Sequence, residues 1–168
     1  MQHPDLPLNF QEVLEGIKEA HKKSGVDISE EEMNKFYDCY YHQIREDKLA
    51  EANQFLRQIS LQKGVKELKN DKLYYKIERL GSGPEISEEP LIQYKAKTLV
   101  GGKEEEIHEI LEPKVITLKA TIKGFSLGVQ GMHIGEKRVL YVHPDLAYGS
   151  ASAKITPNSL IIFEIEAF

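Results

Sequence analysis

The stretch IKGFSLGVQGMHIGEKRVLYVHPDLAYG, Ile122–Gly149, changes character several times over a short distance. GFSLGVQGM fits a short helix. HIGEK is a turn signal. KRVLYVH is dense in β-branched and aromatic residues and reads as a strand. HPDLAYG then ends that strand and leaves Tyr148 at the lip of a small polar loop, SASAK, before the next apolar run, LIIFEIEAF. A plain connector between two strands needs no such tyrosine, so the stretch predicts a β-rich domain with one short helix and a functional residue at a strand exit.

Outward from there the same texture holds from Gly64 to the C-terminus. LYYKIERL, LIQYKAKTL, KVITLKA, KRVLYVH and LIIFEIEAF are strand candidates, separated by the turn signals GSGPE, VGGKEEE, HIGEK and TPNS,. Together they predict a compact α+β domain, an antiparallel sheet with one helix laid across it.

The first part of the chain reads differently. Phe10, Val13, Leu14 and Ile17 recur at helical spacing until KSGVD breaks the pattern at Gly25,. Ser29 and Glu32 form an S-x-x-E capping box that starts a second helix,. Met33, Phe36, Tyr37, Tyr40 and Ile44 follow as an apolar stripe, which thins into REDKLAEANQ and resumes at Phe55, Leu56 and Ile59. No proline or glycine interrupts residues 30–63. A continuous helix there is roughly 50 Å long at about 1.5 Å per residue, more than a single small domain covers. Its polar middle reads as a solvated rod, and its aromatic first half needs a partner. Self-association supplies one; a helical hairpin folded back onto the second domain is the other reading.

Composition narrows the function classes. The chain has 168 residues, 40% hydrophobic, with net charge −5 and pI near 5.7, and no basic patch that would mark a nucleic-acid binder,. Residues 1–64 carry 8 Lys/Arg against 12 Asp/Glu, so most of the negative charge lies there. The single Cys39 excludes an internal disulfide and a cysteine-based metal cage, and is expected to be a partly buried thiol,. No apolar run approaches the ~20 residues of a membrane span, and no signal peptide is visible. The histidines at 3, 21, 42, 108, 133 and 143 show no i,i+3 or i,i+4 pair, so neither a metal nor a cofactor is expected,.

Ile122–Gly149 resembles the signature block of FKBP-type peptidyl-prolyl cis–trans isomerases. The shared pattern is an isoleucine two residues before a Gly-aromatic pair, a short helix ending in Met, a Gly-x-Lys/Arg-Arg turn, a strand, and Pro-x-x-Ala-Tyr-Gly. IQYKAKTLVGGK before it and PNSLIIFEIE after it look like further strands of that family, so the likeness spans about residues 73–168. The helical front, with GVDIS and later GVKELKNDKLYYKI and GSG, is similar to the Mip and FkpA-like bacterial subgroup. The resemblance implies an FKBP-like antiparallel sheet wrapped on a short helix, preceded by an all-α dimerisation segment with a long connecting helix. The implied segments are 1–45 for dimerisation, 46–66 for the connecting helix and 67–168 for the isomerase domain. The implied partners are unfolded or proline-containing polypeptides, a second copy of the chain through the N-terminal helices, and macrolide ligands. The implied location is the periplasm or the cell surface, with the cytoplasm as the alternative.

The chemistry such a domain performs needs neither nucleophile nor metal. An X–Pro bond turns slowly because amide resonance sets a barrier of ~18–20 kcal/mol. At the transition state the bond is twisted and its carbonyl less polar. A dry apolar pocket with a few fixed donors favours that form. The resemblance assigns Tyr94 to one wall, Ile122 to another with its backbone N–H offered to a substrate carbonyl, Phe125 to the floor, and Tyr148 to the lip as a hydroxyl donor. Ile155 and Phe163 close the far side.

The sequence departs from the family pattern in three places. Where the family carries Gly-x-x-Phe-Asp, this chain has GGKEEEIHE, with Glu104, Glu105 and Glu106 in the region. Phe125 stands where the family usually has Trp. The loop after Tyr148 is about two residues shorter. The expectation is weakened isomerase activity with peptide binding kept; the alternative is a non-catalytic peptide-binding chaperone on the same scaffold. The discriminating feature is whether Glu105 or Glu106 points into the pocket, or Ile107 or Ile110 fills the missing wall.

Overall fold

The computed structural model describes Gly16, Glu19, residues 29–151 and residues 155–168. The expected first helix, with Phe10, Val13, Leu14, Ile17 and its break at Gly25, lies outside the described residues apart from Gly16 and Glu19, which are helical. The chain divides into two compact units, Met1–Gln43 and Ile44–Phe168.

Helix α1, Glu30–Ser60, begins where the capping box places it. The Ser29 hydroxyl accepts the Glu32 N–H at 3.2 Å, and the Glu32 carboxylate accepts the Ser29 N–H at 3.0 Å and its hydroxyl at 2.8 Å. These bonds hold the Glu32 carboxyl below the usual carboxylate range. In the first unit Phe36 is exposed and lies parallel to Tyr40, ring centroids 6.2 Å apart. Cys39 is exposed rather than partly buried; on a helix its position falls between the apolar rows.

The second unit is built on one six-stranded antiparallel sheet in the order β1-β2-β5-β6-β3-β4. Its strands are β1 Val65–Lys69, β2 Leu73–Arg79, β3 Leu91–Val100, β4 Lys103–Val115, β5 Lys137–Val142 and β6 Ile161–Ala167. Two of these differ from the sequence reading. The charged run KEEEIHE is not a turn; it opens β4, the longest strand, because lysines on β3 face its glutamates across the ladder. KVITLKA is not a separate strand. Only Lys114 and Val115 belong to β4, and Leu118–Ala120 is a 3-10 turn.

Both faces of the sheet are covered. On the outer face, Ala52, Leu56 and Ile59 of α1 are buried with Tyr74, Leu99, Val139, Tyr141, Leu160 and Ile162. This part of α1 is therefore not a solvated rod. The polar letters of REDKLAEANQ also take part, since Lys48 donates to the Leu99 carbonyl at 2.8 Å and Glu51 accepts the Gly102 N–H at 2.9 Å. Burying Leu56 and Ile59 alone contributes about 1.5–3 kcal/mol each.

The inner face packs on the short helix α2, Lys123–Val129. Two glycines, one turn apart, let this helix sit directly on β5. A Cβ at Gly124 would lie 2.2 Å from Val142 Cγ1 and 3.0 Å from the Leu146 carbonyl; one at Gly128 would lie 2.4 Å from Leu140 Cδ1. The far end of the helix is held by Arg138. Its guanidinium donates to the Gly128 carbonyl at 2.7 Å and to Glu136 at 2.7 Å, and lies 4.6 Å from the Tyr75 ring centroid. Arg138 and Glu136 are both buried, and breaking such a pair costs about 3–5 kcal/mol,.

The glycine contact yields a signed prediction. Gly→Ala in a helix interior normally stabilises by about 1 kcal/mol. Here Gly124→Ala meets both a packed side chain and a backbone oxygen, so overpacking of about 1–3 kcal/mol outweighs the gain. Urea unfolding of the variant should show a lower midpoint with an unchanged slope.

Candidate functional site

The inner-face strands and α2 bring five of the six candidate residues into one apolar cluster: Tyr94 from β3, Ile122 at the start of α2, Phe125 within it, Phe163 from β6, and Ile155. Three of them form a ring triangle. Phe125 and Phe163 meet edge to face at 4.9 Å, Tyr94 and Phe125 at 5.4 Å, and Tyr94 and Phe163 at 5.8 Å, with interplanar angles of 63–74°. Each such pair contributes about 0.5–1.5 kcal/mol beyond its buried area. Phe125 and Phe163 are buried and Tyr94 is half-buried, so the triangle is closed below and reaches the surface at Tyr94.

Ile122 is the N-cap of α2 in extended conformation; its carbonyl accepts the Ser126 N–H at 3.1 Å. Its own N–H lies outside the helix ladder. Tyr148, the sixth candidate, is 46% exposed. Burial, with the neighbouring Tyr148 phenol adding to it, pushes the Tyr94 hydroxyl above its ordinary pKa. Tyr94 is thus the half-buried member of the triangle, and Tyr148 the exposed phenol of the set. Residues 152–154 of the loop after Tyr148 lie outside the described residues.

The wall opposite Tyr148 is where the sequence was least readable. Glu104 pairs with Lys97, and Glu106 with Lys95, which also binds Glu109. These lysines alternate with Tyr94 and Ala96 along β3, so the pairs lie on the outer face, away from the rings. Glu105, opposite Thr98, is on the ring face of the sheet but exposed, near the hairpin end and away from Tyr94. Ile107 is the extra residue of a bulge, and Ile110 faces Tyr94 across the ladder. The side chain that meets the ring triangle is one sequence reasoning passed over: His108, whose ring stacks on Tyr94 at 5.6 Å and 26°. Only the bulge position, which a sequence does not display, brings it there.

A buried histidine caps the turn that precedes Tyr148. His143 N-caps the 3-10 turn Pro144–Leu146, accepting the Asp145 N–H on Nδ1 at 3.1 Å, while Asp145 pairs with Lys72 at 2.5 Å. Among the described residues, no three His, Cys, Asp or Glu side chains come together as a metal site. No described helix is long and apolar enough to cross a membrane.

Residues 84–168 match the FKBP-type peptidyl-prolyl cis-trans isomerase family. The chain belongs to that family. Within it the chain is of the Mip and FkpA-like subgroup. It is 43% identical over 167 residues to the peptidyl-prolyl cis-trans isomerase Mip of Chlamydia pneumoniae, covering 96% of this chain and 64% of that protein. It is 32% identical over 123 residues to the FKBP-type isomerase FkpA of Escherichia coli K12, covering 71% of this chain and 45% of that one. The chain thus spans less than two thirds of either relative's length. The crystal structure of Escherichia coli FkpA superposes with a TM-score of 0.65 over 97% of this chain and 82% of that one, at 22% identity, a likeness of fold. In this FKBP all three rings of the triangle, Tyr94, Phe125 and Phe163, lie within the matched residues.

The His143 cap sets a pH dependence. Burial holds the imidazole below its ordinary pKa, opposed by the Asp145 carboxylate and aided by the Lys72 ammonium. The neutral form is the one that accepts the cap bond. Its stabilisation is therefore full above the unfolded histidine value of about 6.5 and is lost as pH falls below it. His143→Asn keeps an acceptor and removes the titration, so its unfolding midpoint should vary less between about pH 7 and 5 than the parent's.

Proposed function

We propose that this chain is a peptidyl-prolyl cis–trans isomerase that assists protein folding. The observation that carries this reading is the Tyr94–Phe125–Phe163 triangle, buried at Phe125 and Phe163 and reaching the surface at Tyr94. A proline ring seated on three apolar faces loses water, and so does the amide before it. The planar amide is the more polar form and loses more by desolvation than the twisted one. Ile122 N–H and the Tyr148 hydroxyl are the donors for the flanking carbonyls. Fixed donors need no reorganisation as the bond turns.

Activity below that of a complete Phe-Asp wall follows from what β4 offers: an edge strand with an imidazole in place of a hydrocarbon ring. The reading as a non-catalytic peptide holder is less favoured, since the Glu104 and Glu106 carboxylates are engaged away from the rings.

The N-terminal segment fits a dimerisation role for residues 1–45, with 46–66 leading into the isomerase domain, 67–168. The exposed Phe36 and its stack on Tyr40 support a second copy of the chain as partner. Clients are unfolded or proline-containing polypeptides, and macrolides are a ligand class the same pocket would take. The periplasm or cell surface is the location that the Mip and FkpA likeness supports.

Isomerisation of a chromogenic X–Pro tetrapeptide, coupled to a conformer-selective protease, tests the pocket. Losing one neutral hydrogen bond in Tyr148→Phe costs about 1 kcal/mol, so kcat/KM should fall about fivefold. Phe125→Leu, which keeps the core apolar, should also fall. Equal rates in all three proteins would sink the assignment. Light scattering of the full chain should give twice the chain mass; a monomer would sink the dimer.

A further inference from the structure

We propose that His108 is the fourth wall of the proline pocket and sets which residue may precede the proline, favouring a side chain that carries a hydrogen-bond acceptor; this rests on the isomerase reading above. The register places His108, Ala96 and Phe163 in one row across β4, β3 and β6. Ala96 is small and buried, so the row is a ring, a methyl and a ring: a trough, with the Tyr94 ring stacked against its His108 side.

The bulge at Ile107 is what builds it. Ala96 opposes His108, but Lys97 opposes Glu106, so Ile107 is skipped. In a ladder continued unbroken from the hairpin, Ala96 would oppose Ile107 and His108 would fall on the outer face. One extra residue turns His108 to the rings, while Glu106 and Glu104 stay on the outer face with Lys95 and Lys97. Bulges beside a site commonly re-aim a side chain in this way.

Of the four rings that meet here, His108 alone carries nitrogen. In either neutral tautomer it presents one N–H, and two when protonated. Its ring is exposed, so that N–H is open to a substrate side chain, while the lysine nearest in sequence across the ladder is engaged by Glu106 and Glu109 on the other face. A substrate residue with a carbonyl or carboxylate oxygen gains a bond that an apolar one of the same size does not.

Two tetrapeptides differing only in Gln or Met before the proline measure this, by isomerisation kinetics and by calorimetric binding to the full chain. The parent should prefer the Gln peptide in kcat/KM by about threefold or more. His108→Phe should lose the preference, with equal kcat/KM for the two peptides. His108→Ala should raise KM for both with little change in kcat, at an unchanged melting temperature, since the site is an exposed edge position. An unchanged KM in His108→Ala, or a preference surviving in His108→Phe, overturns the inference. A parent that turns over both peptides equally overturns it while leaving the isomerase reading intact; a parent that neither binds nor turns over either peptide overturns both.

Discussion

The close approach of α2 to β5 is the constraint on which the rest of the second unit depends. Gly124 and Gly128 present no side chain toward β5, and the strand's Leu140 and Val142 fill the space a Cβ would take. With the helix that deep, Phe125 drops onto Phe163 and Tyr94, and Ile122 is fixed where the helix begins. Arg138 secures the opposite end by taking up the Gly128 carbonyl, and its own charge is answered by the buried Glu136. The placing of the ring triangle is thus a consequence of backbone-to-strand packing more than of the aromatic residues themselves.

Charge is sorted by the sheet with equal care. The outer face of β3, β4 and β6 is a lattice of Lys95 and Lys97 with Glu104, Glu106, Glu109 and Glu164. Such partly exposed pairs add little stability one by one. They match Glu104, Glu106 and Glu109 of the edge strand to lysines on β3. They also keep these carboxylates on the face away from the ring triangle. Pro113 and two register shifts in β4 keep the same edge from pairing with other chains,.

Much of this was legible in the sequence. The run from Ile122 to Gly149 displays its helix, turn, strand and Tyr148 in order, because each carries a strong local signal. Ser29 and Glu32 mark the helix start for the same reason. The strand β4 was hidden because its residues have poor strand propensity, and their lysine partners lie on another strand. KVITLKA misled in the opposite sense: β-branched letters near Pro113 end a strand instead of making one. The seating of Ala52, Leu56 and Ile59 on the sheet was obscured by the charged letters between them, which bind backbone groups of the β3–β4 hairpin. His108 could not be found by spacing, since a one-residue bulge decides which face it shares.

The central claim is that a proline ring seats on the Tyr94–Phe125–Phe163 triangle while its peptide bond turns. Exchange spectroscopy by NMR on an X–Pro peptide with a small fraction of the full chain reads both halves at once. The account predicts cis–trans exchange cross-peaks that appear only with the protein, together with transferred contacts from the proline ring protons to the aromatic protons of Phe125, Phe163 and Tyr94. Exchange without those ring contacts, or ring contacts without exchange, would contradict it.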